Sequence, residues 1–159
     1  MKIQLTIIEG TQRGQSKYIN ISECQSVQDI ENLFKKEFEC AIDLTKENYY
    51  QLFEVTEYNE MKDFGSFPNW EGIVKYINLC EEVSQDVVDS GLELDIQMDL
   101  IQDLYHGKYS DEDDFALSTL EDLYNLPISI IAYFNIEDFS TDLFAYDYVI
   151  SDSGCVFHK

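Results

Sequence analysis

Carboxylates are the side chains of this sequence that could do chemistry, because other reactive groups are few and scattered. The chain holds 32 Asp and Glu against 10 Lys and Arg, which gives a net charge of -22. Residues 76–158 carry 19 of these acids and a single base, Lys108. Clustered carboxylates can bind metal ions, transfer protons or attract a basic partner. Their spacing decides which of these chemistries is favoured.

The spacing does not favour catalysis or metal binding. Of the two histidines, His106 precedes Gly107 at a predicted helix end and His158 lies at a terminus expected to fray. Residues 111–114 are all acidic but lack the alternating ligands, turn glycine and final Glu of a calcium loop. Residues 10–17 miss the spacing of a phosphate-binding loop. We therefore expect no enzyme activity, no bound metal and no cofactor.

Charge also limits the possible partners, because such an anion repels nucleic acid and anionic membrane and attracts basic proteins. The N-terminus lacks an apolar signal segment, and no apolar run approaches the roughly 20 residues of a spanning helix. The four cysteines form no C-x-x-C pair and are interpreted as reduced thiols. We expect a cytoplasmic protein that binds neither nucleic acid nor membrane.

The first 60 residues predict two paired strands, a helix and a further strand. Residues 3–8 and 17–21 alternate between apolar and polar side chains around a turn, which indicates a β-hairpin. Ser26 stands at the start of a helical pattern that ends near Glu39, with an acid three residues after it as in a capping box. Residues 49–58 have the composition of a strand.

From Asn69 onward the apolar positions recur at helical spacing. Gly91 separates a first helical run from a second one, over residues 94–105, which places Asp95, Asp99 and Asp103 about 6 Å apart along one face. A second stripe would follow the preceding helix if Gly91 does not break it: Glu82, Asp86, Asp89 and Glu93. Both stripes lack the Lys residues that normally accompany acids at this spacing.

The last 50 residues predict two more helices and a hairpin. Ser110 is placed to cap a helix with an acidic first turn, and Pro127 ends or restarts that helix. A short helix is expected around residues 136–144, and a hairpin closes the chain with strands at 146–150 and 155–157. The carboxylates of residues 136–144 are expected on the outward face of their helix.

An acid-rich surface can simply keep a protein soluble. That interpretation does not account for the near absence of Lys and Arg from residues 76–158. A basic groove on another protein would account for it. B-DNA carries one charge per about 1.7 Å of axis, and helical carboxylates repeating about every 6 Å approximate the phosphate row of one strand.

Residues 105–116 read Tyr-His-Gly-Lys-Tyr, then a short acidic spacer, then Asp-Phe-Ala. This pattern resembles that of ArdA-type antirestriction proteins. Pro127, Tyr133, Asp142-Leu143 and a terminal Gly154-x-Val156-Phe157 follow in the order and spacing of that family. The resemblance covers about residues 100–159.

The resemblance implies an elongated α+β fold with small antiparallel sheets at both ends and a helical middle. Three subdomains are expected at residues 1–63, 64–106 and 107–159, the last providing homodimer contacts. The side chains expected in those contacts or in packing are Tyr133, Phe134, Phe139 and Leu143. The implied function is imitation of bent B-form DNA, which blocks the DNA groove of type I restriction-modification enzymes at their methyltransferase core. Proteins of this family are encoded by phages and other mobile genetic elements.

The carboxylates expected to contact the target are Glu81, Glu82, Asp86, Asp89, Glu93, Asp95, Asp99, Asp103, Asp111, Glu112, Asp113, Asp114, Glu121, Asp122, Glu137, Asp138 and Asp142. Other classes stay open. A DNA mimic could inhibit a different DNA-binding defence protein, such as a CRISPR nuclease. An acidic adapter or immunity protein could bind a basic partner without imitating DNA. A metal-dependent enzyme is the least favoured alternative.

Overall fold

The computed structural model describes residues 2–7, 14–38, 53–59, 69–124 and 126–159. The chain divides into two compact units, Met1–Glu82 and Val83–Lys159. Each unit combines helices with a three-stranded antiparallel sheet, so the predicted α+β class with small sheets at both ends is confirmed. The predicted division into three subdomains and the elongated shape stay predictions.

The first unit contains a sheet with the order β2-β1-β3. Strand β1 spans Lys2–Ile7, β2 spans Ser16–Asn20 and β3 spans Phe53–Asn59. Both neighbours run antiparallel to β1. The predicted hairpin and the predicted third strand are therefore confirmed, whereas the connection between β1 and β2 before Gly14 lies outside the described residues.

Two helices complete this unit, α1 at Val27–Phe38 and α2 at Trp70–Val83. The predicted cap of α1 is confirmed. The Ser26 hydroxyl accepts a hydrogen bond from the Asp29 N–H at 3.2 Å, while an Asp29 carboxylate oxygen accepts from the Gln25 N–H at 3.2 Å and from the Ser26 hydroxyl at 2.7 Å. These bonds satisfy N–H groups that a helix start leaves without partners.

The core of the first unit forms where the apolar faces of α1 and α2 meet the sheet. Phe34 and Trp70 are buried, and their rings meet edge to face with centroids 5.4 Å apart. Ile3 and Ile19, which face each other across β1 and β2, belong to the same buried cluster. Edge-to-face aromatic pairs add to the stabilisation that burial alone provides.

The second unit carries the acid-rich part of the sequence on a series of short helices. Its helices are α3 at Gln85–Glu93, α4 at Ile101–Leu104, α5 at Glu112–Ser118, a π-helical segment at Thr119–Leu123, α6 at Ile128–Ile131 and α7 at Ile136–Tyr146. Its strands are β4 at Tyr105–Lys108, β5 at Tyr148–Ile150 and β6 at Cys155–His158. The sheet order is β4-β6-β5, so the end of the chain forms the central strand. The predicted helix near 136–144 and the predicted closing hairpin are confirmed.

Phe115 on α5 lies at the centre of this unit's core. Its ring centroid lies 4.7 Å from that of Tyr148, 5.0 Å from that of Tyr109 and 5.6 Å from that of Phe144. Val156 on the central strand is fully buried in the same cluster. These contacts attach α5 and α7 to the sheet and thereby fix the backbone that carries the acids.

The predicted helical run over residues 94–105 is wrong. Helix α3 continues through Gly91 to Glu93, turns follow at residues 94–95 and 98–100, and only Ile101–Leu104 is helical before the chain enters β4. A Cβ at Gly91 would lie 2.8 Å from a side-chain carbon of Ile101, so this glycine permits close packing instead of breaking a helix. The break between α2 and α3 falls at Ser84, where φ is +85°.

None of the helices in the described ranges is both long and apolar enough to cross a membrane. Cys24 and Cys155 are free thiols, as predicted, and Cys40 lies outside the described residues. Burial is the main reason that the pKa of the Cys24 thiol rises to about 11. A thiol with such a pKa is a poor nucleophile at neutral pH.

Candidate functional site

Helix α3 places three carboxylates on one face. Asp86, Asp89 and Glu93 stand at i, i+3 and i+7, which corresponds to steps of about 4.5 and 6 Å along the helix axis. Asp86 and Glu93 are exposed and Asp89 is half-buried. Glu82 and its neighbour Glu81 are exposed at the end of α2 in the first unit. The predicted stripe from Glu82 to Glu93 along one helix is therefore wrong, because the break at residue 84 divides it.

Asp86 has a cationic partner that the helical spacing of the acids did not predict. Lys108 donates to one carboxylate oxygen at 2.7 Å, and the Ser84 hydroxyl donates to the other at 2.7 Å. The bond from Lys108 is the main reason that the pKa of Asp86 is lowered, and the bond from Ser84 is the next. The same contact raises the pKa of Lys108. Lys108 is distant from Asp86 in sequence, so helical spacing could not reveal the pair.

Asp95, Asp99 and Asp103 are exposed but do not form the predicted helical stripe. Asp95 lies in a turn with φ +59°, Asp99 lies in the next turn, and only Asp103 lies in α4. Asp tolerates positive φ better than most residues, which explains why it can stand where the helix ends. The regular 6 Å spacing predicted for this triplet is therefore absent.

Most of the acids at the start of α5 have structural roles. Asp111, and not the predicted Ser110, is the N-cap, because its carboxylate accepts from the Asp114 N–H at 2.9 Å. The carboxylate of Asp114 accepts from the Ser110 N–H at 3.0 Å. Asp113 accepts from the hydroxyl of Ser140, which is buried on α7. Only Glu112 in this run has no hydrogen bond or ion pair with another described residue.

Five further acids stand on the π-helical segment and on α7, all of them exposed: Glu121, Asp122, Glu137, Asp138 and Asp142. Asp122 accepts from the Ser118 hydroxyl at 3.2 Å, and Asp138 accepts from the Asn135 side-chain amide at 2.6 Å. Within the described ranges, the other three carboxylates have neither a hydrogen bond nor an ion pair. The outward position predicted for the acids of α7 is confirmed.

The second unit contains 17 Asp and Glu residues, of which 16 are exposed. We refer to these 17 carboxylates, from Asp86 to Asp152, as the acidic surface. The unit has two Lys and no Arg. Lys108 binds Asp86, and the Lys159 ammonium donates to the backbone carbonyls of Phe144 and Ala145 at 2.6 and 3.2 Å. The cations of this unit therefore neutralise few of its acids.

Asp147 and Asp152 also belong to the acidic surface, although neither was among the predicted target contacts. Asp147 ends α7 and Asp152 lies in the turn between β5 and β6, and both are exposed. Strand ends and turns have no helical periodicity that would have assigned these side chains to one face. Only the three-dimensional structure shows that these two side chains are exposed.

The two histidines lie on neighbouring strands, with ring centroids 6.3 Å apart. The predicted helix-end position of His106 and the predicted fraying of His158 are both wrong. His158 faces Tyr148 across the sheet, and the next residue donates its N–H to the Asp147 carbonyl at 2.8 Å. Burial, followed by the charge of His158, lowers the pKa of His106. In the part of the chain that the structure describes, no three His, Cys, Asp or Glu side chains converge to hold a metal ion.

The four side chains predicted for dimer contacts or packing fall into two groups. Leu143 is buried and Phe139 is half-buried, and both pack in the core of the second unit. Tyr133 and Phe134 are exposed, at 88% and 42%. The first two therefore stabilise the unit, whereas the last two are available to a partner.

No protein-family model matches the chain, and a search of curated proteins finds no significant match. The similarity of residues 105–157 to the antirestriction pattern stays a hypothesis.

Proposed function

We propose that the protein is a non-catalytic inhibitor whose carboxylates take the place of DNA phosphates in the DNA groove of a type I restriction-modification methyltransferase core. The observation that carries this proposal is the acidic surface, in which 16 of 17 acids are exposed. Of the unit's two lysines, Lys108 binds one acid, Asp86, and Lys159 binds backbone carbonyls. A surface that only keeps the protein soluble can carry Lys and Arg among its acids. A surface that binds a basic groove should lack them, because each Lys or Arg on it would repel the groove.

The spacing of the helical acids suits such a groove. Asp138 and Asp142 stand one helical turn apart on α7, about 6 Å along the axis, and the pair Asp86 and Asp89 on α3 is separated by about 4.5 Å. Phosphates along one DNA strand advance by about 3.4 Å of axis. Each pair therefore spans one to two phosphate steps, and long Lys and Arg side chains can accommodate the difference.

The fold holds part of the acidic surface in place before any partner arrives. Asp111 and Asp114 are fixed by the cap of α5, and Asp113 is fixed by the buried Ser140 of α7. A surface that is already ordered loses less conformational entropy on binding. It also spares the target the energy of bending a DNA duplex.

A displacement assay tests this proposal. A fluorescent duplex bound to the purified methyltransferase core should be released by the protein, with a loss of anisotropy. The variant Glu121→Gln/Glu137→Gln removes two carboxylates that have no partner in the described fold, so the fold should be retained. Two surface contacts of this kind contribute about 0.5–2 kcal/mol together, so displacement should weaken about 2- to 30-fold.

The matched control is Glu23→Gln/Glu71→Gln, which changes the net charge equally with exposed acids of the first unit. Displacement by this control should stay near that of the original protein. Equal losses for the two variants would show that only total charge matters. Failure of the unaltered protein to displace the duplex would refute the proposal.

A further inference from the structure

One hydrogen bond joins two helices that carry the acidic surface. The hydroxyl of Ser140, which is 2% exposed on α7, donates to the carboxylate of Asp113 on α5, 27 residues earlier in the chain. The same hydroxyl donates to the carbonyl of Glu137 at 3.1 Å. Asp113 itself is exposed. The Asp113 carboxylate is therefore held beside the first turn of α7 while its charge stays at the surface.

Apolar packing attaches α5 to α7 next to this bond. Phe115 on α5 and Phe144 on α7 meet with ring centroids 5.6 Å apart, and Leu143 of α7 is buried in the same cluster. Apolar contacts are non-directional, so they hold two helices together without fixing the direction of a polar side chain. A hydrogen bond is directional. The bond from Ser140 therefore fixes where the Asp113 carboxylate stands, which packing alone does not do.

This bond acts against electrostatic repulsion. Glu137 and Asp138 are exposed in the first turn of α7, and like charges repel each other. Without Ser140, the Asp113 side chain would favour rotamers that point away from these two carboxylates. In the fold, a buried donor holds it beside the helical turn that carries them.

The chemistry of the donor determines what happens to the charge. Asp86 and Asp113 are both bound by a side chain from another helix or strand, but by different donors, the ammonium of Lys108 and the hydroxyl of Ser140. The ammonium neutralises the carboxylate that it binds, whereas a hydroxyl holds a carboxylate and leaves its negative charge intact. A surface that presents negative charge to a basic groove needs the second kind of bond.

We infer that Ser140 is a positioning residue for target binding, because it holds the charge of Asp113 in a fixed place relative to the carboxylates of α7. The inference rests on the proposed function and adds that the arrangement of the charges, and not only their number, determines the affinity. A side chain that is already ordered loses less conformational entropy on binding. Loss of the hydroxyl should therefore weaken target binding although the net charge does not change.

The displacement assay with a fluorescent duplex and the methyltransferase core tests this inference with two variants that keep every charge. Ser140→Ala removes the donor, and Asp113→Glu moves the carboxylate away from the donor by one methylene group. Each variant should displace the duplex about 2- to 10-fold less well than the original protein, the factor expected for one side chain that becomes ordered only on binding. Asp113 is exposed, so Asp113→Glu should fold even if Ser140→Ala does not.

The matched control is Ser90→Ala on α3. Ser90 is 3% exposed, and its hydroxyl donates to the Asp86 carbonyl at 2.6 Å and forms a hydrogen bond with the Ser153 hydroxyl at 2.7 Å. This control therefore removes a buried hydroxyl whose partners are uncharged. Ser90→Ala and Ser140→Ala should both lower the free energy of unfolding in urea, but only Ser140→Ala should weaken displacement. Equal losses of displacement would leave Ser140 with a structural role only and overturn the inference.

A double-mutant cycle shows whether Ser140 acts through Asp113. Asp113→Asn removes the charge and keeps an oxygen that can accept from the Ser140 hydroxyl. In that background, Ser140→Ala should have no further effect on displacement, because no charge is left to position. A further loss as large as the one in the original protein would contradict the inference.

The outcome for the proposed function is separate. If the original protein does not release DNA from the methyltransferase core, the proposed function fails and the role of Ser140 fails with it. If the original protein releases DNA, and Ser140→Ala and Asp113→Glu release it equally well, the proposed function stands and the inference about Ser140 fails.

Discussion

Replacement of Gly154 by Ala should destabilise the second unit strongly. This glycine closes the turn between β5 and β6 with φ +87°, a conformation that costs a residue with a Cβ about 1–2 kcal/mol. The added Cβ would also collide with the carbonyl oxygen of Tyr109. The distance between the two atoms would be well below 3.0 Å, which Cβ atoms in proteins essentially never show. Because the obstacle is a backbone atom, the collision can be removed only if the backbone at Tyr109 moves. We expect this movement to cost about 1–3 kcal/mol more.

The total for Gly154→Ala is therefore about 2–5 kcal/mol, against a stability of about 4–12 kcal/mol for a unit of this size. Gly14→Ala is the matched control, because Gly14 has φ +84° and no atom of the described residues lies within 4 Å of the added Cβ. It should cost only the conformational part, about 1–2 kcal/mol. Amide hydrogen exchange in β6 and in β1 reports the opening free energy of each unit separately. Equal losses in the two variants would refute the packing assigned to Gly154.

Three further predictions concern capping and ionisation in the second unit. Asp111→Ala should lower the free energy of unfolding by about 1 kcal/mol through loss of the α5 cap, measured by urea unfolding, and an unchanged midpoint would contradict the capping bond. The lowered pKa of Asp86 means that its ion pair stabilises the fold above the ordinary pKa of 3.8 and is lost as the pH falls further, so the stability difference from Asp86→Asn should shrink below about pH 4. A constant difference down to pH 2 would contradict this. His106 should titrate below its ordinary pKa of 6.5 in NMR, and His158→Gln should move that pKa upward; no movement would exclude coupling between the two rings.

Local patterns in the sequence predicted those elements whose spacing is set by near neighbours. The hairpin β1–β2, the capped helix α1 and the helix near residues 136–144 each follow from alternation, helical periodicity or a capping motif within about a dozen residues. The exposure of the acids on α7 followed from the same periodicity. These features depend little on the rest of the fold.

Long-range contacts determined what the sequence could not show. The sequence around Gly91 predicts a break in the helix, but in the fold this residue lies against Ile101 and the helix continues through it. Lys108 reads as a solitary cation, but strand β4 brings it to Asp86 on α3. His158 reads as part of a loose terminus, yet the residues after the last turn form the central strand of a sheet. In each case the deciding partner lies on a different helix or strand.

Some properties of the acidic surface follow from the sequence alone, and others are determined only by the fold. Its net charge and its lack of cations follow from composition alone. Composition cannot distinguish the acids that cap or link helices, such as Asp111 and Asp113, from Glu121 and Glu137, whose carboxylates have no hydrogen bond or ion pair with a described residue. That distinction identifies the acids whose removal should affect a partner and leave the fold intact.

Steady-state kinetics of the methyltransferase tests the central claim most directly, because an imitation of DNA must compete with DNA. Methyl transfer should be measured as a function of duplex concentration at several fixed concentrations of the protein. The proposed function predicts that the apparent KM for DNA rises linearly with the concentration of the protein while kcat is unchanged. A fall in kcat with an unchanged KM would place the protein outside the DNA groove and contradict the claim.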